Sequence, residues 1–65
     1  MIVSKVRELM EAKDKTIAAL ADETGLAMET VKRARDARIS QCRVETLEAI
    51  ARALGVRVVD LFEER

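Results

Sequence analysis

In "VETLEAIARALG", residues 44–55, the apolar positions Val44, Leu47, Ile50, Ala51 and Leu54 recur at intervals of three and four and stop at Gly55. That spacing places them on one side of an α-helix, and a glycine just past the last of them can take the left-handed backbone that ends it. A helix with one apolar side must lay it against other parts of the chain, and the remaining sequence offers helices for the purpose. Val3, Val6, Leu9 and Met10 predict a first helix over about Ile2 to Lys13, and Thr16 can cap a second through Leu20 and Ala21 to Thr24, ahead of Gly25. A third is expected over about Met28 to Asp36, with Val31 and Ala34 inward and Leu26 anchoring the preceding turn. After a loop from Ala37 to Cys42 and the helix that begins at Val44, a short fifth is expected over about Val58 to Glu63, burying Val58, Leu61 and Phe62. No segment alternates as a strand does, and no proline interrupts the chain. The expected fold class is all-α, a compact five-helix domain over residues 1–65.

A chain of 65 residues supports one small core, and a single cysteine rules out an internal disulfide to hold it. With one aromatic residue, Phe62, that core must be built from Leu, Ile, Val and Ala. The longest apolar run is Ile17 to Ala21, too short for a signal peptide or a membrane span, so the expected location is the cytoplasm and no membrane partner is expected. Cys42 then reads as a reduced thiol serving as a small apolar residue.

Chemistry is restricted in the same way. Histidine is absent, no glycine-rich phosphate loop occurs, and no second cysteine stands ready for a metal. Glu45 and Glu48 lie on a helix with Arg52 four residues beyond Glu48, an ordinary surface pairing. The sequence therefore predicts no enzyme, no cofactor and no metal site.

Net charge is zero, which taken alone argues against a nucleic-acid partner, but the charges are unevenly spread. Residues 1–30 hold four basic and six acidic groups, residues 31–43 five basic and one acidic, and residues 44–65 three basic and five acidic. Lys32, Arg33, Arg35, Arg38 and Arg43 thus form a local positive patch on an otherwise acidic chain. Such a patch is either an electrostatic footprint for a polyanion or a solvated charged face.

Helices in this order, with the second and third joined by the tight turn "ETGLA", predict a helix-turn-helix with three supporting helices. Three blocks, "VRELMEAK", "LADETGLAMETVKRARDAR" and "ETLEAIARALGVRVVDLF", resemble the Cro and phage-repressor (XRE-type, lambda-repressor-like) family over about residues 2–62. The last block is the most specific, with Thr46, Leu47, Ile50, Ala51, Ala53, Leu54, Gly55, Val56, Leu61 and Phe62 in register. The resemblance implies a domain that docks its third helix in the major groove of double-stranded DNA while neighbouring helix ends and loops hold phosphates.

Geometry agrees with that implication. Burying Val31 and Ala34 turns Met28, Glu29, Lys32 and Arg33 outward, with Arg35 at the margin. Outward residues of the first turns are the base readers in similar proteins. Arg33 can pair with guanine in two-point fashion, Glu29 can accept from a cytosine amino group, and Met28 can touch a thymine methyl. Each has a plainer alternative: Glu29 and Arg33 are spaced for a helix salt bridge of about 0.3 kcal/mol, Lys32 can serve a phosphate, and an exposed Met28 suits a protein partner equally.

The chain departs from the family pattern at several positions. Ile17 stands where a glutamine often contacts phosphate, so that contact is expected to pass to the Thr16 hydroxyl or to backbone N–H groups. Ala27 replaces the usual capping residue of the third helix, at a cost of about 1 kcal/mol. Asp14 and Ala37 occupy places where glycine is common; Asp tolerates left-handed backbone and Ala does so reluctantly, so the loop after the third helix is expected to differ. Arg43 stands where a small cap is frequent, with Ser40 available to cap instead. Arg35, Arg38 and Arg43 flank the third helix and are expected, with Thr16, to supply the phosphate contacts.

Two functional classes remain: a sequence-specific transcription regulator, more readily a repressor, and an antitoxin or other protein-interaction module on the same scaffold. Val59 points about 100° away from Val58 on the fifth helix. An apolar group there is either a stray exposed valine or a contact outside the monomer; since similar proteins pair through this region, the resemblance implies a homodimer interface at Val59 and Phe62, suited to an inverted-repeat operator.

Overall fold

Helix formation follows the apolar spacing in four places. In the computed structural model, which describes residues Met1–Arg65, α1 spans Val6–Ala12, α2 Ile17–Thr24, α3 Met28–Ala34 and α4 Val44–Leu54. The second has both ends its sequence predicts, and the fourth its carboxyl end. The Thr16 hydroxyl accepts the Ala19 N–H at 3.0 Å to cap α2, and Gly25 and Gly55 close α2 and α4 at φ of 75° and 71°. Asp14, between α1 and α2, takes a left-handed φ of 56°, which its short polar side chain tolerates.

The expectation of five helices is corrected at three places. Residues 2–4 do not begin the first helix; they form a strand, β1 (Ile2–Ser4), antiparallel to β2 (Phe62–Glu64), with Ile2 opposite Glu64 and Ser4 opposite Phe62. The expected fifth helix is a 3₁₀ turn over Val58–Leu61, after which Phe62 is already extended. The third helix stops at Ala34 instead of Asp36. Asp36 takes extended backbone, and its carboxylate caps a 3₁₀ segment, Ala37–Gln41, by accepting the Arg38 N–H at 2.8 Å. The fold is therefore mostly helical, with four α-helices, two 3₁₀ segments and one small sheet.

Twelve apolar residues make one core, drawn from every helix. Leu20, Val31, Ile50, Leu54 and Leu61 are all at most 1 % exposed, so α2, α3, α4 and the 58–61 turn meet at its centre. At about 25 cal/mol per Å² of apolar surface removed from water, this contact is the main stabilising contribution. No helix is long and apolar enough to cross a membrane.

One buried polar residue fixes how α3 sits. The Ser4 hydroxyl donates to the Ala34 carbonyl at the end of α3 and accepts the Val6 N–H at the start of α1. A single side chain thus joins β1, α1 and α3. Replacing it by alanine leaves a carbonyl and an N–H without that partner, and Ser4→Ala is expected to lower the free energy of unfolding by about 1–2 kcal/mol. Urea titration followed by circular dichroism checks this; an unchanged midpoint would mean that water replaces the hydroxyl at no cost.

Candidate nucleic-acid interface

The turn between α2 and α3 is closed by Thr24. Its hydroxyl donates to the Leu20 carbonyl at 2.7 Å and accepts the Leu26 N–H at 3.3 Å, which carries the chain straight into the next helix. Ala27 stands at the start of α3 without a side-chain cap, as the missing hydroxyl requires. Val31 and Ala34 are fully buried. At about 100° per residue the opposite side of α3 carries Glu29, Lys32 and Arg33, with Met28 toward one edge. Glu29 and Lys32 are exposed, Met28 is 47 % exposed, and Arg33 is half-buried.

Arg33 owes its partial burial to a cleft between α3 and the start of α4, where it meets Thr30, Gln41, Arg43 and Thr46, with Leu26 and Cys42 as the apolar lining. Two arginines, two threonines and a glutamine therefore line a cleft along one side of α3. Sequence periodicity finds the two arginines but not Gln41, Thr30 or Thr46. Gln41 is included because the 3₁₀ segment brings it back beside α3, a return that no spacing rule anticipates.

Arg43 is the N-cap residue of α4 and makes no side-chain cap. Ser40 does not take over that role, since its hydroxyl turns back to the Ala37 carbonyl at 3.4 Å. Lys32, Arg33, Arg35 and Arg43 have no carboxylate partner, so four of the five cations in the basic segment present uncompensated charge. Arg35 is half-buried, and its Nε–H is shielded from solvent with no protein acceptor. Thr16 is exposed; while its oxygen caps α2, its O–H remains able to donate outward.

Arg38 is the exception. Its Nη2 lies 2.9 Å from Asp36 Oδ2, its Nε reaches both Asp36 oxygens at 3.1 and 3.2 Å, and its Nη1 is 3.5 Å from Glu29 Oε1. The hydrogen bonds from Arg38 hold the Asp36 carboxyl below the usual carboxylate range, and the same contact raises the Arg38 guanidinium. The alternative pairing of Glu29 with Arg33 does not form.

Cys42 packs against the core, and burial pushes its thiol up. At the far end of the chain Val59 is 60 % exposed. Phe62, carried by β2 instead of a helix, lines an apolar groove with Ile2, Ile39, Cys42 and Leu47.

Two short helices joined by a tight turn, the second bearing uncompensated cations on its outer side, define a helix-turn-helix domain. The chain matches the Cro/C1-type HTH DNA-binding domain over residues 5–63 and belongs to that family. No curated protein and no solved structure matches it significantly. Membership makes the chain, in general terms, a DNA-binding regulator.

Proposed function

We propose that the protein is a sequence-specific double-stranded DNA-binding transcription regulator, acting as a repressor, that lays α3 in the major groove. The observation that carries this reading is the unpaired state of Lys32, Arg33, Arg35 and Arg43 beside an α3 whose other side is sealed in the core. Cations left without internal partners are free to replace the counterions of a phosphate backbone. Met28, Glu29, Lys32 and Arg33 face the base edges. Thr16, at the N-terminus of α2, together with Arg35 and Arg43 takes phosphates on either side, as a helix-turn-helix requires.

Selection of bound sites from random duplex DNA tests the reading, followed by affinity measurements at several salt concentrations. A recovered inverted repeat, bound with an affinity that falls steeply with salt, is the expected result. Affinity for a protein partner with little salt dependence, and no enrichment of any duplex, would favour an antitoxin or docking module instead.

Specific affinity also calls for two modules, because one domain of this size contacts few bases. We place the dimer contact at Val59 and Phe62, the exposed valine beside the strand that carries the half-buried phenylalanine. Sedimentation across a concentration series is expected to show the wild type passing from monomer to dimer and Val59→Asp remaining monomeric. Identical profiles for the two would remove Val59 from the interface.

A further inference from the structure

Glu29 lies on the outward side of α3, opposite Val31 and Ala34, and Asp36, two residues past the end of that helix in extended backbone, shares an arginine with it. Unpaired carboxylates there would meet the negative field of approaching DNA and oppose binding. Arg38 lies between them. It grips Asp36 with Nε and Nη2 in a planar, two-point contact and turns Nη1 toward Glu29 at 3.5 Å. The Arg38 backbone N–H is tied to the same Asp36 carboxylate at 2.8 Å, so both the main chain and the head of Arg38 are located by one group.

The geometry points to Arg38 as a positioning residue for Glu29, and to Asp36 as its anchor, so that Glu29 becomes the specificity-determining residue for one cytosine in each half-site. This rests on the DNA-reading role of α3 proposed above and reassigns Arg38, which its charge and place in the sequence mark as a phosphate contact. A free glutamate on a helix surface samples many rotamers, and fixing it on a base edge costs conformational entropy at the moment of binding. Here the guanidinium holds the carboxylate near one place beforehand. The remaining acceptor capacity of Glu29 is directed to solvent, its side chain being 60 % exposed. A carboxylate so placed accepts from the N4 amino group of cytosine and repels bases that present only acceptors.

Lysine and asparagine substitutions separate this role from phosphate binding. Lysine can still serve a phosphate as a point charge but cannot make the two-point contact with Asp36 while reaching Glu29. Asp36→Asn weakens the anchor and at the same time removes a negative charge just past the end of α3.

The experiment takes the site recovered by selection and measures wild type, Glu29→Gln, Arg38→Lys and Asp36→Asn on four duplexes differing only at the base pair facing Glu29. Wild type is expected to prefer the cytosine-bearing duplex by roughly fivefold or more, the low end of a base-specific contact. Glu29→Gln is expected to move the preference toward adenine. Arg38→Lys and Asp36→Asn are both expected to shrink the cytosine preference to about twofold or less, on the scale of a lost base contact. Retention of the full preference by both variants, with Asp36→Asn binding all four duplexes more tightly, would overturn the inference and return Arg38 to the phosphate backbone. Failure of the wild type to bind any duplex in a salt-dependent way is a different outcome, and it would overturn the DNA-reading role of α3 along with the inference.

Discussion

Leu61→Ala is expected to leave the free protein largely unfolded at room temperature. Leu61 is fully buried in the 58–61 turn, and its carbonyl accepts the Lys5 N–H at 2.7 Å, so the side chain and backbone of one residue hold the carboxyl end to the start of α1. Truncating a buried leucine to alanine costs about 2–5 kcal/mol, from lost transfer energy and from the cavity that remains. A single core in a domain this small rarely provides more than about 3–5 kcal/mol. The two ranges overlap, and a cooperative fold has little else to draw on. Urea titration followed by circular dichroism checks the expectation, with Leu61→Met, expected to cost less than about 1.5 kcal/mol, as the control for shape. Because DNA binds only the folded form, operator at a hundred times the dissociation constant should restore about 2.7 kcal/mol and recover much of the helical signal. A cooperative transition shifted by less than about 1 kcal/mol would show that the turn is not integral to the core, since that lies well below the usual cost of a buried Leu→Ala change.

Much of this fold is legible from residue spacing because its helices are local objects. In α4 the positions Leu47, Ile50, Ala51 and Leu54 are buried as the three-and-four spacing predicts, and Gly55 ends the helix in left-handed backbone; Val44, in the same series but at the first position of the helix, stays 63 % exposed. The sheet is not legible. Three residues are too few for an alternating pattern to show, and the partners Ile2 and Glu64 lie at opposite ends of the chain. The same fact explains the expected fifth helix: Val58, Leu61 and Phe62 have helical spacing, but backbone pairing with Ile2 to Ser4 draws Phe62 into a strand.

The interface divides along similar lines. Rotation about α3 is enough to turn Glu29 and Lys32 outward, and both are exposed. The pairing of Arg38 escapes sequence reasoning because the rule for helical ion pairs looks three or four residues away and finds Glu29 with Arg33. Asp36 leaves the helix, becomes the cap of the next segment, and captures the arginine two residues on. That capture leaves Arg33 unpaired in the cleft with Arg43.

Arg33 and Arg43 share that cleft, yet their removal is expected to produce different losses. Arg33 stands on α3 itself, on the side turned from Val31 and Ala34, half-buried against the cleft. A planar fork so placed suits the O6 and N7 atoms of a guanine, a contact that discriminates against the wrong base by about 1–3 kcal/mol. Arg33→Ala should therefore lower affinity for the selected site by roughly 5- to 100-fold, and the loss should nearly vanish on duplexes already altered at one base pair of each half-site. Arg43 is at the N-terminus of α4, exposed and uncapped, where the unpaired backbone N–H groups of the first turn add a partial positive charge of their own. Its target is a phosphate, so Arg43→Ala should weaken every duplex by a similar factor and reduce the slope of log affinity against log salt by about one. Titrating both variants against matched and altered duplexes at several salt concentrations separates the roles. A uniform loss for Arg33→Ala together with a reduced salt slope would make the cleft a two-arginine phosphate clamp, and base reading would then rest on Met28, Glu29 and Lys32 alone.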